Sequence, residues 1–143
     1  MKTFANEIMS RKVTTATPKS TVEEMLKVFV NKKITGLPVV NAKGKMIGVY
    51  SEYDLIQQVA SAGEINPEVL RQVIVYTEKV EAVRHDEVLE RIVSRFVGQK
   101  FRRLPVVDDQ GHLVGIITRR DLMKVFFYQA KLPLDEESKL EIT

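Results

Sequence analysis

Two stretches of this chain match each other position by position: Gly48-Val49-Tyr50-Ser51-Glu52-Tyr53-Asp54 and Gly115-Ile116-Ile117-Thr118-Arg119-Arg120-Asp121. Each reads glycine, two apolar residues, a hydroxyl, two variable residues and an aspartate. The match extends without a gap, placing Leu37-Pro38-Val39-Val40 on Leu104-Pro105-Val106-Val107, Gly44 on Gly111 and Phe29 on Phe96, always 67 residues apart (37 to 104, 48 to 115). An internal duplication is a strong constraint, because both copies must fold as the same supersecondary unit. The 143 residues are about one ordinary domain, enough to bury a core without disulfides or a structural metal.

The pattern predicts the elements of each copy. Val13-Thr14-Thr15 suits a brief strand, and Val80 stands at the matching position of the second copy. Ser20 with Glu23 forms a capping-box pattern ahead of Val22, Met25, Leu26, Phe29 and Val30, which follow helical spacing; Leu89, Ile92, Val93, Phe96 and Val97 repeat it. Then come strand, glycine turn and strand, and a second helix from Ser51 to about Ala62 or from Thr118 to about Ala130. Asn66-Pro67-Glu68 opens a short linker helix through Val73. The expected organisation is repeat 1 over 8–62, linker 63–73, repeat 2 over 74–130 and a tail over 131–143, bent at Pro133 and acidic at Asp135-Glu136-Glu137.

Composition removes several classes of function. There is no cysteine, hence no disulfide, thiolate nucleophile or thiolate metal site. Glu7 interrupts any apolar signal core, and no window approaches the roughly 18 apolar residues of a membrane span, so a soluble cytoplasmic protein is expected. A net charge of +3 from 22 bases and 19 acids is too mild to argue for nucleic acid or an anionic membrane. His85 and His112 lack a partner at metal spacing, and no acid, base and nucleophile are grouped; an enzyme is not expected.

The paired leucine-proline-valine-valine strands, the turn glycines, and the glycine-led strands ending in Ser51 or Thr118 with Asp54 or Asp121 resemble the CBS domain (the cystathionine β-synthase repeat), whose units pair as a Bateman module. The resemblance covers nearly the whole chain. It implies an α/β (α+β) fold of two βαββα units about a pseudo-twofold axis, with two clefts between the repeats. Members of the family commonly bind AMP, ADP, ATP or S-adenosylmethionine there as regulatory ligands. By position, Asp54 and Asp121 would hold ribose hydroxyls and Ser51 and Thr118 would meet phosphate. Thr15, Ala16, Gly36 and Leu37, with Ala82, Val83, Arg103, Leu104 and the adjoining Pro105, would bring backbone against the adenine. The resemblance also implies a homodimer, and a regulatory protein without an attached enzyme domain would act through an unidentified protein partner or through its oligomeric state.

The residues themselves leave choices open. A carboxylate can accept from vicinal hydroxyls, and a hydroxyl at a helix N-terminus is an anion site; yet Ser51/Asp54 and Thr118/Asp121 are equally good helix caps. Gly48 and Gly115 would permit close approach of a ligand. Arg102, Arg103, Arg119 and Arg120 favour the second repeat, either converging on phosphates or forming a solvated basic face. Val125-Phe126-Phe127-Tyr128 carries more apolar surface than one helix face needs and could seal a dimer. The alternatives to a nucleotide sensor are a ligand-free dimerisation scaffold and, against the lack of stacking aromatics, nucleic-acid binding by the arginines.

Overall fold

The computed structural model describes residues 2–99 and 101–133, so the acidic run Asp135-Glu136-Glu137 lies outside the described residues. In chain order the elements are α1 (Ala5–Ile8), α2 (Val22–Lys32), β1 (Gly36–Val40), β2 (Met46–Ser51), α3 (Glu52–Ala62), α4 (Pro67–Arg71), β3 (Val83–Arg84), α5 (Leu89–Gln99), β4 (Arg103–Val107), β5 (Leu113–Thr118) and α6 (Arg119–Gln129). Helix, hairpin and helix thus occur twice, an α+β arrangement. The sheets are β1-β2 and β3-β4-β5.

The described residues fall into two compact units. One combines Val13–Glu81 with the turn Val107–Leu113; the other draws on the described residues within 2–12, 82–106 and 114–133. Each is therefore built on one repeat but closed by a segment from elsewhere. In the first-repeat unit Thr77 pairs antiparallel with Val49, and in the second-repeat unit Ser10 pairs antiparallel with Ile116. Residues 10 and 77 stand at the repeat spacing, as do 49 and 116, so one joint is made twice.

The two cores are also copies. Ala16, Val22, Met25, Phe29, Leu37, Val39, Tyr50 and Leu55 form one; Val83, Leu89, Ile92, Phe96, Leu104, Val106, Ile117 and Leu122, each at the same spacing, form the other. The closing segments add Ile74 and Ala5 respectively. Burial of a Val, Leu, Ile, Phe or Met side chain stabilises by roughly 1.5–3 kcal/mol, so conserving these positions conserves the fold while most other letters drift.

Several expectations are corrected. Val13-Thr14-Thr15 is not a strand: Ala16 alone bridges to Val39, because a turn closed by Ser20 N–H to Thr17 C=O begins directly afterwards. In the second repeat the strand lies at Val83–Arg84, with Val80 exposed. Helix α2 is capped by Thr21, not Ser20; Thr21 Oγ1 accepts from Glu24 N–H at 3.2 Å, while Ser20 Oγ accepts from Thr17 N–H at 3.0 Å. The apolar face is narrower than the spacing suggested: Leu26, Val30 and Val97 are exposed. The linker helix stops at Arg71, where Gln72 leaves helical geometry (ψ 142°) and the chain extends.

Candidate ligand-binding site

Each repeat ends its hairpin in the same device. Ser51, the last residue of β2, has extended backbone and caps α3; Thr118, the last of β5, caps α6. Ser51 N–H and Oγ–H both donate to Asp54 Oδ2, at 2.9 and 3.0 Å, and Ser51 Oγ accepts from Asp54 N–H at 3.2 Å. Thr118 and Asp121 repeat this at 2.8, 3.0 and 3.2 Å. Both hydroxyl protons are thereby committed to a carboxylate. The first helical amides are committed too, Glu52 N–H to Thr35 C=O and Arg119 N–H to Arg102 C=O. Phosphate at either cap would therefore not find these donors free.

The second carboxylate oxygen separates the repeats. Asp54 Oδ1 accepts from Thr77 Oγ1 at 3.2 Å, and Asp54 is only 9% exposed. Among the described residues, the hydrogen bonds of Asp121 all go to Oδ2, and the residue is half-buried. Asp121 Oδ1 is thus an acceptor with both lone pairs available for ligand hydroxyls.

Gly36 pairs with Ser51 across β1-β2. The repeat spacing puts Arg103 in the Gly36 position, at the start of β4 and beside Thr118. Arg103 is half-buried, and its Nε is a buried polar atom with no hydrogen-bond partner. An unmatched buried donor of this kind costs about 1–3 kcal/mol. The other arginines differ from it in exposure and bonding. Arg102 is exposed, Arg120 is exposed, and Arg119 Nε donates to Phe101 C=O at 2.9 Å.

The residues expected to line the adenine are core residues as far as their side chains go. Ala16, Leu37, Val83 and Leu104 lie in the two hydrophobic clusters and Pro105 is buried; Thr15 and Ala82 are half-buried. Only their backbone could face a ligand. Even so, the Ala82 carbonyl already accepts from Arg95 Nη1 at 3.1 Å. The Arg95 guanidinium also lies 5.6 Å from the Phe101 ring centroid, a cation–π contact. Arg95 therefore braces Ala82 against the Phe101-Arg102 segment that leads into β4. Val28 and Ile34 hold the corresponding places in repeat 1 and can make no such brace.

The gaps left by Gly48 and Gly115 do not open onto a ligand. A Cβ at Gly48 would meet the Thr77 carbonyl and the Tyr76 ring, and one at Gly115 would meet the Met9 side chain and, at 2.9 Å, the Ser10 carbonyl. The glycines admit the closing segments of the fold itself.

Three important residues were not expected. Thr77 reaches Asp54; Gln58, 7% exposed, holds the linker through Val73 C=O (3.2 Å) and Val75 N–H (3.1 Å); and Tyr50 donates to Gln58 Oε1 at 2.8 Å. Burial, reinforced by the Asp54 carboxylate, pushes the Tyr50 hydroxyl up to about 12. Beside them lies a cavity of about 400 Å³ lined by Asp54, Gln57, Gln58, Ser61, Gln72 and Val75. The glutamine where the second repeat has Val125 was the available sequence signal for Gln58. Among the described residues no helix is long and apolar enough to cross a membrane.

Comparison with known proteins places these features in a family. The family model for the CBS domain matches residues 5–61 and again 70–128. The uncharacterized protein MK0525 of Methanopyrus kandleri is 34% identical over 133 residues, 93% of this chain and 67% of that protein. Of two longer curated relatives the chain spans only 23% and 20%. A crystal structure of CBSX2 in complex with AMP superposes with a TM-score of 0.72 at 30% identity, covering 90% of this chain and 98% of the other. The CBS domain pair of protein MJ0100, in complex with 5-methylthioadenosine and S-adenosyl-L-methionine, gives 0.68 at 25% identity over 90% and 99%.

Proposed function

Because this chain belongs to the CBS-domain family and carries two copies of the domain, we propose that it is a regulatory module, not a catalyst, that binds an adenosine-containing ligand and signals occupancy to a protein partner. AMP, ADP, ATP and S-adenosylmethionine are the candidates. The ligand complexes of CBSX2 and of the MJ0100 domain pair support the class. What favours the second repeat is one feature: Asp121 Oδ1 uncommitted while Arg103 Nε lies buried without a partner.

In this reading Asp121 Oδ1 accepts from the ribose hydroxyls. Arg103 supplies the phosphate donor that the committed Thr118 hydroxyl does not, and Arg95 holds the Ala82 backbone in place for the base. Met123 and Phe126, three residues apart on one face of α6 and 56% and 38% exposed, form the surface we assign to a homodimer. Isothermal titration with the four ligands tests the proposal: at least one binds with measurable heat, and Asp121→Ala abolishes it. The scaffold alternative draws on repeat 1, where Asp54 is satisfied within the protein on both oxygens; it predicts no heat with any of the four.

A further inference from the structure

We infer that Thr77 is a latch on the first repeat: a ligand that places two vicinal hydroxyls on Asp54 Oδ1 must displace the Thr77 hydroxyl, and so loosens the segment that Thr77 helps to anchor. The inference rests on the reading above for the class of ligand, but on independent geometry for the latch.

Asp54 and Asp121 are equivalent by sequence and by cap geometry, yet not by availability. Asp54 Oδ2 takes the Ser51 amide and hydroxyl, and Oδ1 takes Thr77 Oγ1 at 3.2 Å. Ser10, which holds the Thr77 position in the second-repeat unit through its pairing with Ile116, is exposed and makes no such bond to Asp121. The difference is therefore whether the hydroxyl of the closing segment bonds the carboxylate: that of Thr77 does and that of Ser10 does not.

Thr77 is not a loose surface residue. Its N–H donates to Val49 C=O and its C=O accepts from Val49 N–H, both at 2.9 Å, with its carbonyl filling the gap left by Gly48. Upstream, Gln58 holds Val73 C=O and Val75 N–H. The segment from Gln72 to Thr77 is thus fastened to the first repeat through Val22 N–H to Gln72 C=O and Ile74 N–H to Ser20 C=O, both at 2.9 Å, through Gln58 and Val49, and, at its end, through the carboxylate a ribosyl ligand would claim. The cavity of about 400 Å³ beside Asp54 gives such a ligand room to approach. Thr77 takes one of the two acceptor positions of Asp54 Oδ1, so two vicinal ligand hydroxyls and the Thr77 hydroxyl cannot all be held there; occupancy and attachment compete and are hence coupled.

Thr77→Val removes the hydroxyl at nearly constant shape. A hydrogen bond to a charged group corresponds to about a ten- to hundredfold change in an equilibrium constant, and removing this competitor transfers that factor to the ligand. Titration of the full chain with AMP, read by native mass spectrometry and calorimetry, is expected to show one strong equivalent for wild type and two for Thr77→Val. Thr77→Ser is expected to behave as wild type, and Thr77→Val with Asp54→Ala to return to one. Hydrogen exchange at the Thr77 amide is expected to accelerate when AMP fills the second equivalent.

A Thr77→Val protein that melts as wild type, still binds one equivalent and shows no affinity gain overturns the latch, while leaving the second-repeat site intact. Two strong equivalents in wild type overturn it as well. If wild type binds no AMP but Thr77→Val does, the reading of the second repeat fails and the latch stands. If neither binds, both fail. Should Thr77→Val not fold, Thr77→Ala is put through the same titration.

Discussion

The Tyr50 hydroxyl donates a 2.8 Å hydrogen bond to Gln58 Oε1 inside the first repeat, where Tyr50 is fully buried and Gln58 is 7% exposed. Tyr50 lies on β2, Gln58 on α3, and the same glutamine oxygen accepts from Val75 N–H in the linker. One amide thus joins strand, helix and linker. In the second repeat Ile117 and Val125 occupy these places, so that unit is closed there by apolar contact alone.

Gln58→Leu is expected to destabilise the protein by about 2–3 kcal/mol, since it leaves the Tyr50 hydroxyl without a partner in a buried setting and frees two linker bonds. Tyr50→Phe removes a donor but strands only an oxygen that still accepts from Val75, and is expected to cost about 1 kcal/mol. Urea unfolding of both single variants and the double variant checks this. The double variant should fall short of the sum by about 1 kcal/mol, because the bond can be lost only once.

The same tyrosine sets a pH dependence. Burial first, and the Asp54 carboxylate second, raise the Tyr50 hydroxyl from its ordinary 10.0 to about 12. Because the folded state keeps its proton longer than the unfolded state, the stabilisation is complete below pH 10. It is lost progressively as pH rises from 10 through about 12. The loss amounts to roughly 2–3 kcal/mol by the usual conversion of two pH units. Wild type minus Tyr50→Phe isolates it from the other tyrosines and lysines. Parallel stability curves for the two proteins between pH 9 and 12 would refute the assignment.

Gly48→Ala is expected to cost about 1–3 kcal/mol, as overpacking does, because its Cβ would fall on the Thr77 carbonyl and the Tyr76 ring, forcing the closing segment away. Gly115→Ala is expected to act alike through Met9 and Ser10. Gly98, in α5 with nothing near its Cβ position, is the control. There, alanine gains helix propensity and should stabilise by about 0.5–1 kcal/mol. Thermal melts of the three variants give the comparison.

The duplication made much of this fold legible. A pattern that survives in two copies reports what burial and capping require, and the hairpins and the caps at Ser51 and Thr118 stand where the repeat put them. It failed where choice is local or contact is remote. Ser20 and Thr21 both offer a capping hydroxyl, and only the preceding turn, which takes Ser20 Oγ, decides between them. Val30 and Val97 keep helical phase with the core yet stay exposed, because each sheet is narrower than the apolar stripe. The partners of Gly48 and Gly115 come from segments that follow or precede the repeat proper. A reading confined to aligned motifs sees the gap and not what fills it. Likewise, Asp54 and Asp121 are indistinguishable in sequence until Thr77 is placed.

Arg103 provides the sharpest link between stability and binding. Its Nε is buried without a partner, so Arg103→Leu, which keeps an apolar stem and removes the orphaned donor, should stabilise the unliganded protein by about 1 kcal/mol. The same change should weaken AMP about ten- to hundredfold, the usual worth of a charge-assisted bond, while altering adenosine affinity less than about threefold, since adenosine has no phosphate to lose. Arg103→Lys, a charge without the planar fork, should fall between wild type and leucine for AMP. Melting temperature and calorimetric titration of the three proteins decide the matter together. If leucine lowers stability, or if AMP and adenosine weaken equally, Arg103 is a structural residue of β4 and the phosphate donor must be sought among Arg102, Arg119 and Arg120.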